Sequence, residues 1–351
     1  MGSFGVYVHV PFCTRRCDYC AFATWTDRQY LFDTYSGACR REIVEAELPP
    51  ASSVFFGGGT PSLLPTDLLC SILAVIPRAG DCEVTVECNP ETVSVPALAA
   101  YWRAGVTRLS FGAQSTVPHV LASLGRSHRP GDLTAAVASA RTAGFATFNV
   151  DLIFGGAGES ADDWAHTLDD VLALDPPHVS AYALTVEPGT PLAKDAARHP
   201  DDDDQAAKYA AADKVLSRAG LVNYEISNWA RPGHECLHNL LYWRQGDYRG
   251  VGCAAHSHER GRRWWNVRTP ERYIAAIESG RSPVAGSEVL DDAQRRHEAL
   301  QLSLRTREGV PRSAVPPDPM LEPLLEADGD RVRLTVDGRL LANEVAVRLL
   351  P

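Results

Sequence analysis

The sequence has 351 residues, 45% of them hydrophobic, and a formal net charge of −10. This length and composition suffice for a large buried core. The negative charge disfavours a nucleic-acid partner, because phosphate groups attract clustered Lys and Arg. The sequence contains no run of 18 apolar residues and no apolar block after a basic start, which predicts a cytoplasmic protein.

Three cysteines, Cys13, Cys17 and Cys20, follow the first predicted strand, Phe4–Val10. Their spacing predicts one loop with three thiolate ligands. An Fe4S4 cluster is ordinarily held by four Cys, so three would leave one iron open to a substrate or cofactor. A structural zinc site needs a fourth ligand that no second CxxC or HxxxH supplies. Covalent haem would need His where Ala21 stands.

Six β-branched, apolar runs alternate with segments of helical period, which predicts six β/α units in a parallel sheet or barrel. The runs are Phe4–Val10 and residues 54–56, 84–88, 108–111, 148–153 and 179–184. In such barrels functional groups gather where the strands end. The six ends carry the cysteine loop, the turn 57–60, Glu87, Gln114, Asp151 and Tyr182. The sequence therefore predicts a single site at this rim.

The other cysteines of the same region, Cys39, Cys70, Cys82 and Cys88, are interpreted as small buried hydrophobes.

The rest of the chain changes in character after the sixth strand. The acidic run 201–204 predicts the start of a helix that ends near Gly220. Residues 223–243 are rich in His and aromatic side chains, which suits either a flat ligand with an axial imidazole, such as haem, or a seam between domains. From residue 291 we expect short helices, a strand at 331–335, a turn at Asp337-Gly338 and a closing helix over 340–350.

The cysteine spacing and its flanks, Tyr7 to Phe12 and Asp18 to Phe22, resemble the radical S-adenosylmethionine (SAM) superfamily, specifically its oxygen-independent coproporphyrinogen III dehydrogenase branch. The dehydrogenases of that branch carry a further cysteine where this chain has Phe22. That departure, together with an HNxxYW motif formed by His238, Asn239, Tyr242 and Trp243, resembles the haem chaperones of the branch.

This resemblance implies a partial (β/α)6 radical-SAM barrel over residues 1–220, a connecting segment over 221–290 and a small winged-helix-like domain over 291–351. It also implies that an Fe4S4 cluster bound by the three cysteines chelates SAM. The residues implied for SAM are Gly58, Gly59 and Thr60 for its amino end, Glu87 and Gln114 for its ribose and methionine groups, Arg126 for its carboxylate, and Asp151 and Ile153 for its nucleoside. Tyr7, His9 and Tyr19 are expected to flank the cluster, with barrel packing as the alternative for the two tyrosines.

The resemblance associates His238, Tyr242 and Trp243 with haem. Segment 250–257 resembles a GxGxGAHS motif in which Cys253-Ala254 replaces the usual Pro-Gly, and the axial ligand stays open among His238, His256 and Cys253.

The implied function is a haem chaperone that passes haem to acceptor haemoproteins, with an electron donor for the cluster and, as a further option, a homodimer. The alternatives are a coproporphyrinogen III dehydrogenase and, last, a radical-SAM methyltransferase or cyclopropanase.

Overall fold

The computed structural model describes residues 3–349, and its centre is a run of six parallel strands. They hydrogen-bond to one another in chain order, and all six correspond to the predicted strands. Their bounds are β1 (Phe4–Val10), β2 (Ala51–Gly58), β3 (Arg78–Cys88), β4 (Arg108–Gln114), β5 (Phe148–Phe154) and β6 (His178–Ala183). Because each strand returns to the sheet through a helical crossover, all six carboxyl ends lie at one rim.

Helices cover the outer face of these strands. They are α1 (Phe32–Glu45), α2 (Thr66–Ala74), α3 (Val95–Ala104), α5 (Pro130–Ala143), α6 (Ala161–Ala173) and α7 (Asp202–Arg218). The short helix α4 (Pro118–Ser123) packs instead in a second hydrophobic cluster with Ile153 and Leu184. In α6, Ser160 and Asp163 form a capping box, and Trp164, Leu168 and Val171 form a fully buried stripe at helical spacing. The acidic run does begin α7, since the Asp201 side chain accepts a hydrogen bond from the Asp204 N–H.

The two faces of the strands differ in chemistry. On β1, Val6, Val8 and Val10 are fully buried in the hydrophobic core. The alternate residues Tyr7 and His9 point to the barrel interior, where they bond to each other, Tyr7 OH to His9 Nδ1 at 3.2 Å. This alternation follows from the two-residue period of a strand, and it gives the barrel a polar interior.

Residues 221–290 extend the same sheet at both edges. Strands β7 (Val222–Glu225) and β8 (Asn228–Ala230) continue it beyond β6. At the other edge β9 (Asp247–Val251) pairs in parallel with β1, and β10 (His256–Glu259), β11 (Arg262–Asn266) and β12 (Val284–Val289) follow in antiparallel order. Helix α8 (Leu237–Trp243) lies between the two groups in sequence, and α9 (Pro270–Glu278) packs on α1. The segment predicted as a connection is thus part of a twelve-stranded sheet.

The C-terminal residues form a separate small core. It is built from α10 (Asp292–Leu304), β13 (Val310–Pro311), β14 (Leu325–Asp328), β15 (Arg331–Leu334), α11 (Val336–Leu340) and α12 (Ala342–Arg348). The turn predicted at Asp337-Gly338 is wrong, because Thr335 caps α11 by accepting a hydrogen bond from the Gly338 N–H. The predicted closing helix is divided at Leu341, and its last residue lies outside the described range. None of the helices in residues 3–349 is long and apolar enough to span a membrane.

Candidate cofactor site

A cavity of about 620 Å³ opens at the carboxyl ends of the parallel strands. The structure brings twelve of the predicted site residues to its walls: Cys13, Cys17, Tyr19, Cys20, Gly58, Gly59, Thr60, Glu87, Gln114, Arg126, Asp151 and Ile153. Asn89 and Tyr182 also line it. Asn89 was missed although it stands just two residues after Glu87 at the same strand end, which is the signal that could have identified it.

The three cysteines face this cavity as free thiols. A backbone bond from Cys20 N to Cys17 O, 3.2 Å, closes the turn between two of them. Thr60 Oγ1 lies 3.7 Å from Cys13 Sγ, and Arg126 Nη1 lies 3.7 Å from Cys17 Sγ. Burial, with a smaller contribution from the neighbouring thiols, raises the pKa of Cys13 and Cys20. A bound cationic centre would reverse that effect and hold all three as thiolates.

The spacing of the three cysteine thiols suits a metal cluster better than a single metal ion. Across residues 3–349, no three His, Cys, Asp or Glu side chains are grouped closely enough to hold one metal ion. In a cubane, by contrast, each Cys thiolate binds a different iron atom. Three thiols on one cavity wall fit that wider arrangement.

Two glycines let the second strand approach the cysteine loop. A Cβ on Gly59 would lie 2.6 Å from Phe12 O, and Gly58, with φ of 111°, would place its Cβ 2.4 Å from the His9 ring. The close approach allows the bonds Gly59 N to Val10 O and Thr60 N to Phe12 O, both 2.8 Å. Only glycine tolerates these contacts, so the turn is built for backbone proximity to the loop and to a ligand.

Tyr7 and His9 lie behind this turn, not on the cavity wall. His9 Nε2 bonds to Ala23 O at 3.0 Å, which ties the interior of β1 to the segment just after Cys20. Burial lowers the pKa of His9, so its ring is neutral at pH 7. The two side chains support the cysteine loop from inside the barrel, while Tyr19 alone of the predicted flanking residues reaches the cavity.

Two buried carboxyl groups, Glu87 and Asp151, line the cavity. Glu87 Oε2 accepts a hydrogen bond from Gly58 N at 3.2 Å. Burial, reinforced by the charge of Asp151, raises the pKa of Glu87 to about 8. Burial also raises the pKa of Asp151, although Ser110 Oγ donates to its Oδ2 at 2.8 Å. Glu87 is therefore a neutral acid at pH 7 until a cation binds beside it.

A chain of hydrogen bonds leads from Asp151 through the barrel interior. Asn149 Nδ2 lies 2.7 Å from Asp151 Oδ1, Asn149 Oδ1 lies 2.6 Å from His178 Nδ1, and His178 Nε2 lies 2.9 Å from the Tyr224 hydroxyl. Because an amide oxygen only accepts, His178 carries its proton on Nδ1, and its Nε2 accepts from Tyr224. The Tyr224 hydroxyl in turn accepts from Cys236 N. Every donor points toward Asp151, which favours its carboxylate form.

Arg126 brings a buried cation to the cavity wall. Its Nη2 donates to Gly112 O at 2.7 Å and to Asn89 Oδ1 at 3.1 Å, which fixes the guanidinium beside Cys17. Gln114 ends β4 with a left-handed φ of 66°, a conformation that turns the chain at the rim. The wall therefore offers a fixed positive charge for an anionic ligand group.

Known proteins resemble this chain in both sequence and fold. A model of the radical SAM superfamily matches residues 7–171. The heme chaperone HemW of Mycobacterium tuberculosis H37Rv is 42% identical over 369 residues, covering 99% of this chain and 95% of the relative. That of Bacillus subtilis 168 is 31% identical, covering 97% of each. The chain belongs to the HemW family of radical SAM proteins. Coproporphyrinogen III oxidase (HemN) of Escherichia coli shares the fold, with a TM-score of 0.86 at 22% identity, covering 99% of this chain and 90% of that one.

The HNxxYW motif of this HemW-family chain lies in α8, which packs against β1, β2 and α10, and none of its residues lines the cavity. His238 is 1% exposed. Its Nδ1 bonds to Ser53 Oγ at 2.9 Å and its Nε2 to the Tyr242 hydroxyl at 2.8 Å, while the ring stacks on Phe55. Burial lowers the pKa of His238 to about 3. In this conformation both ring nitrogens are occupied, so iron ligation by His238 would require α8 to move.

The other departure from the family pattern, Cys253-Ala254, has two structural consequences. Cys253 is fully buried, with its thiol 3.6 Å from the Tyr35 hydroxyl. Ala254 adopts φ of 55°, where the usual glycine of this HemW motif would be unstrained. The Cys253 thiol is therefore not accessible from the surface, and Ala254 is a strained residue in the turn.

Proposed function

We propose that this protein is a haem chaperone that holds an Fe4S4 cluster and SAM in the rim cavity and delivers haem to acceptor haemoproteins. The observation that carries the proposal is similarity over nearly the full chain to proteins named heme chaperone HemW. The cysteine loop and its cavity support the cluster and SAM. The partners of such a protein are haem, the acceptors, an electron donor for the cluster and, as a further option, a second copy of the chain.

Different cavity residues would bind the cluster and the different groups of SAM. Cys13, Cys17 and Cys20 would hold the cluster, which leaves its fourth iron for the amino and carboxylate groups of SAM. The Gly58–Gly59 turn approaches closely enough to offer backbone groups to the amino end, and the fixed Arg126 guanidinium suits the carboxylate.

The nucleoside would lie against the remaining wall. Asp151, held as a hydrogen-bond acceptor by Asn149 and Ser110, suits a ribose hydroxyl, and Glu87 and Gln114 extend the polar wall. Ile153 supplies apolar contact. A reduced cluster supplies electrons for cleavage of the sulfonium bond of SAM, whereas these side chains bind, orient and exclude water.

The main rival function is a coproporphyrinogen III dehydrogenase. The shared HemN fold does not separate the two, because one fold hosts several functions. Phe22 favours the chaperone: it stands where the dehydrogenases carry a further cysteine, it lines the cavity mouth, and it is 65% exposed. A phenyl ring there cannot ligate metal or transfer a proton.

Haem titration of the anaerobically reconstituted protein tests the proposal. We expect about one haem retained per chain after gel filtration, with iron and sulfide content unchanged by haem loading. A protein that retains its cluster and binds SAM but no haem would contradict the chaperone function.

A further inference from the structure

Strand β10, two strands away from β1 in the sheet, presents an exposed imidazole that stacks on an aromatic side chain of its neighbour β11. His256 begins β10 and pairs with Trp265 on β11, their rings stacked at 5.8 Å and 27°. Gly286 on β12 makes this possible, because a Cβ there would lie 2.6 Å from the indole. His256 is exposed and Trp265 half-buried. We call His256, Trp265 and Gly286 the rim surface.

His256 differs from every other exposed histidine in residues 3–349. His119 and His166 face Asp163 and Asp170, and His199 Nε2 bonds to Leu192 O. The ring of His256 enters no hydrogen bond or ion pair within that range. Partial burial lowers the pKa of His256, so its imidazole is neutral at pH 7, which is the form that binds iron. The ring is therefore oriented by an indole and has its nitrogens available.

The rim surface adjoins the cofactor loop without entering the cavity. The backbone of His256 packs against β9, since a Cβ on Gly250 would lie 2.1 Å from His256 O, and Gly250 pairs with Tyr7 on β1. Two residues further along β1, His9 bonds to Ala23, three residues after Cys20. None of the three rim-surface residues lines the cavity. A ligand on this surface and SAM in the cavity would occupy neighbouring, separate sites.

We propose that His256 is the axial ligand of haem and that Trp265 is a positioning residue for its imidazole. This inference rests on the proposed function and names the haem site. A ring nitrogen of His256 donates its lone pair to the haem iron, with no electron transferred. Since an axial imidazole stands roughly perpendicular to the porphyrin plane, the stacked indole fixes its orientation and brings an aromatic edge to the macrocycle. The other two candidates for the axial ligand are not accessible, because the thiol of Cys253 is buried and both ring nitrogens of His238 are hydrogen-bonded.

The test titrates ferric protoporphyrin IX into cluster-loaded wild type, His256→Ala and Trp265→Leu. We expect His256→Ala to lose the wild-type Soret position and to bind at least about tenfold more weakly, since even the outer partners of metal ligands contribute about 10- to 100-fold. Free imidazole should restore the wild-type spectrum of His256→Ala. Trp265→Leu should keep a histidine-ligated spectrum, with weaker binding and a broadened distribution of ligand orientations by electron paramagnetic resonance.

Matched controls separate the site from the function. His166→Ala, which removes another exposed histidine, should behave as wild type. Metal-free protoporphyrin IX should bind with little dependence on His256, because it has no iron to ligate. If His256→Ala keeps the wild-type Soret position and affinity, the axial assignment is wrong while haem binding stands. If wild type itself binds no haem, the proposed function fails instead.

Discussion

Cys17 is the motif cysteine with a charged neighbour, since Arg126 Nη1 lies 3.7 Å from its thiol. Replacing Cys17 with Ala removes one of three protein ligands, so we expect loss of the iron–thiolate absorbance, of most bound iron and sulfide, and of SAM binding. Cys70→Ala is the control, since Cys70 lies half-buried on α2 away from the cavity. Equal iron and sulfide in both variants would show that the motif does not hold the cluster.

Glu87 gives the cavity a measurable pH dependence. Its pKa in the folded protein, about 8, lies above the ordinary value of 4.5. The stability that depends on a neutral Glu87 is therefore complete below pH 4.5 and is lost as pH rises toward 8. Glu87→Gln stays neutral, so without SAM it should exceed wild type in unfolding free energy at pH 9 by at least about 1.4 kcal/mol, the equivalent of one pKa unit. Chemical denaturation of both proteins at pH 5, 7 and 9 measures the two unfolding free energies. The same difference between wild type and Glu87→Gln at all three pH values would contradict the prediction.

At the scale of elements, the chain from Asp151 through Asn149 and His178 joins β5, β6 and β7. Asn149→Ala removes the donor to Asp151 and leaves His178 Nδ1 without its acceptor. We expect the free energy of unfolding to fall by about 1–3 kcal/mol, the usual cost of a buried unpaired polar group.

The pKa of Asp151 should also rise in Asn149→Ala, so SAM affinity should weaken more steeply than in wild type as pH falls from 8 to 6. Calorimetric SAM titrations at both pH values measure this change. Asn343→Ala, an exposed change on α12, is the control. If SAM affinity in Asn149→Ala keeps the pH profile of wild type, the chain does not govern the charge of Asp151.

His238 holds helix α8 against β2 through Ser53 and Phe55. Its pKa of about 3 lies below the ordinary value of 6.5, so stability is lost as pH falls from 6.5 toward 3, where the unfolded chain takes up a proton first. His238→Ala should unfold about 2–4 kcal/mol more easily at pH 7, because it leaves a cavity and unpaired Ser53 and Tyr242 hydroxyls. It should also lose less stability on acidification. The cluster should be retained. His166→Ala serves as control, and a His238→Ala protein as stable as wild type would contradict the structural role.

The sequence predicted the elements whose pattern is local. Strands β1 to β6 are apolar runs long enough to be recognised, and four aspartates indicate the start of α7. Strands β7 to β12 have three to six residues each, and they exist because β1 and β6 offer unpaired edges. Such tertiary pairing leaves little trace in local sequence. The misplaced turn at Asp337 has a similar origin, since the Thr335 cap outweighs the turn preference of Asp-Gly.

At the scale of the whole molecule, parallel topology explains why the cavity residues were predictable. Strand ends that are distant in sequence must meet at one rim, so Glu87, Gln114 and Asp151 converge there. The sequence pattern does not show how far from the cavity a polar residue of the barrel interior lies. Tyr7, His9 and His238 share the chemistry of site residues, yet they pack behind the glycine turn or beneath it. The two-residue period of β1 turns Tyr7 and His9 inward but does not say how far from the cavity they lie, and the place of His238 depends on how α8 packs against β2.

The most direct test of the central claim sets haem binding against porphyrinogen chemistry in one anaerobic preparation. The cluster-loaded protein is supplied with SAM and reductant, then divided between ferric protoporphyrin IX and coproporphyrinogen III. The chaperone account predicts about one haem retained per chain and no decarboxylated porphyrin product. Catalytic decarboxylation of coproporphyrinogen III without stoichiometric haem binding would contradict it and assign the protein to the dehydrogenases.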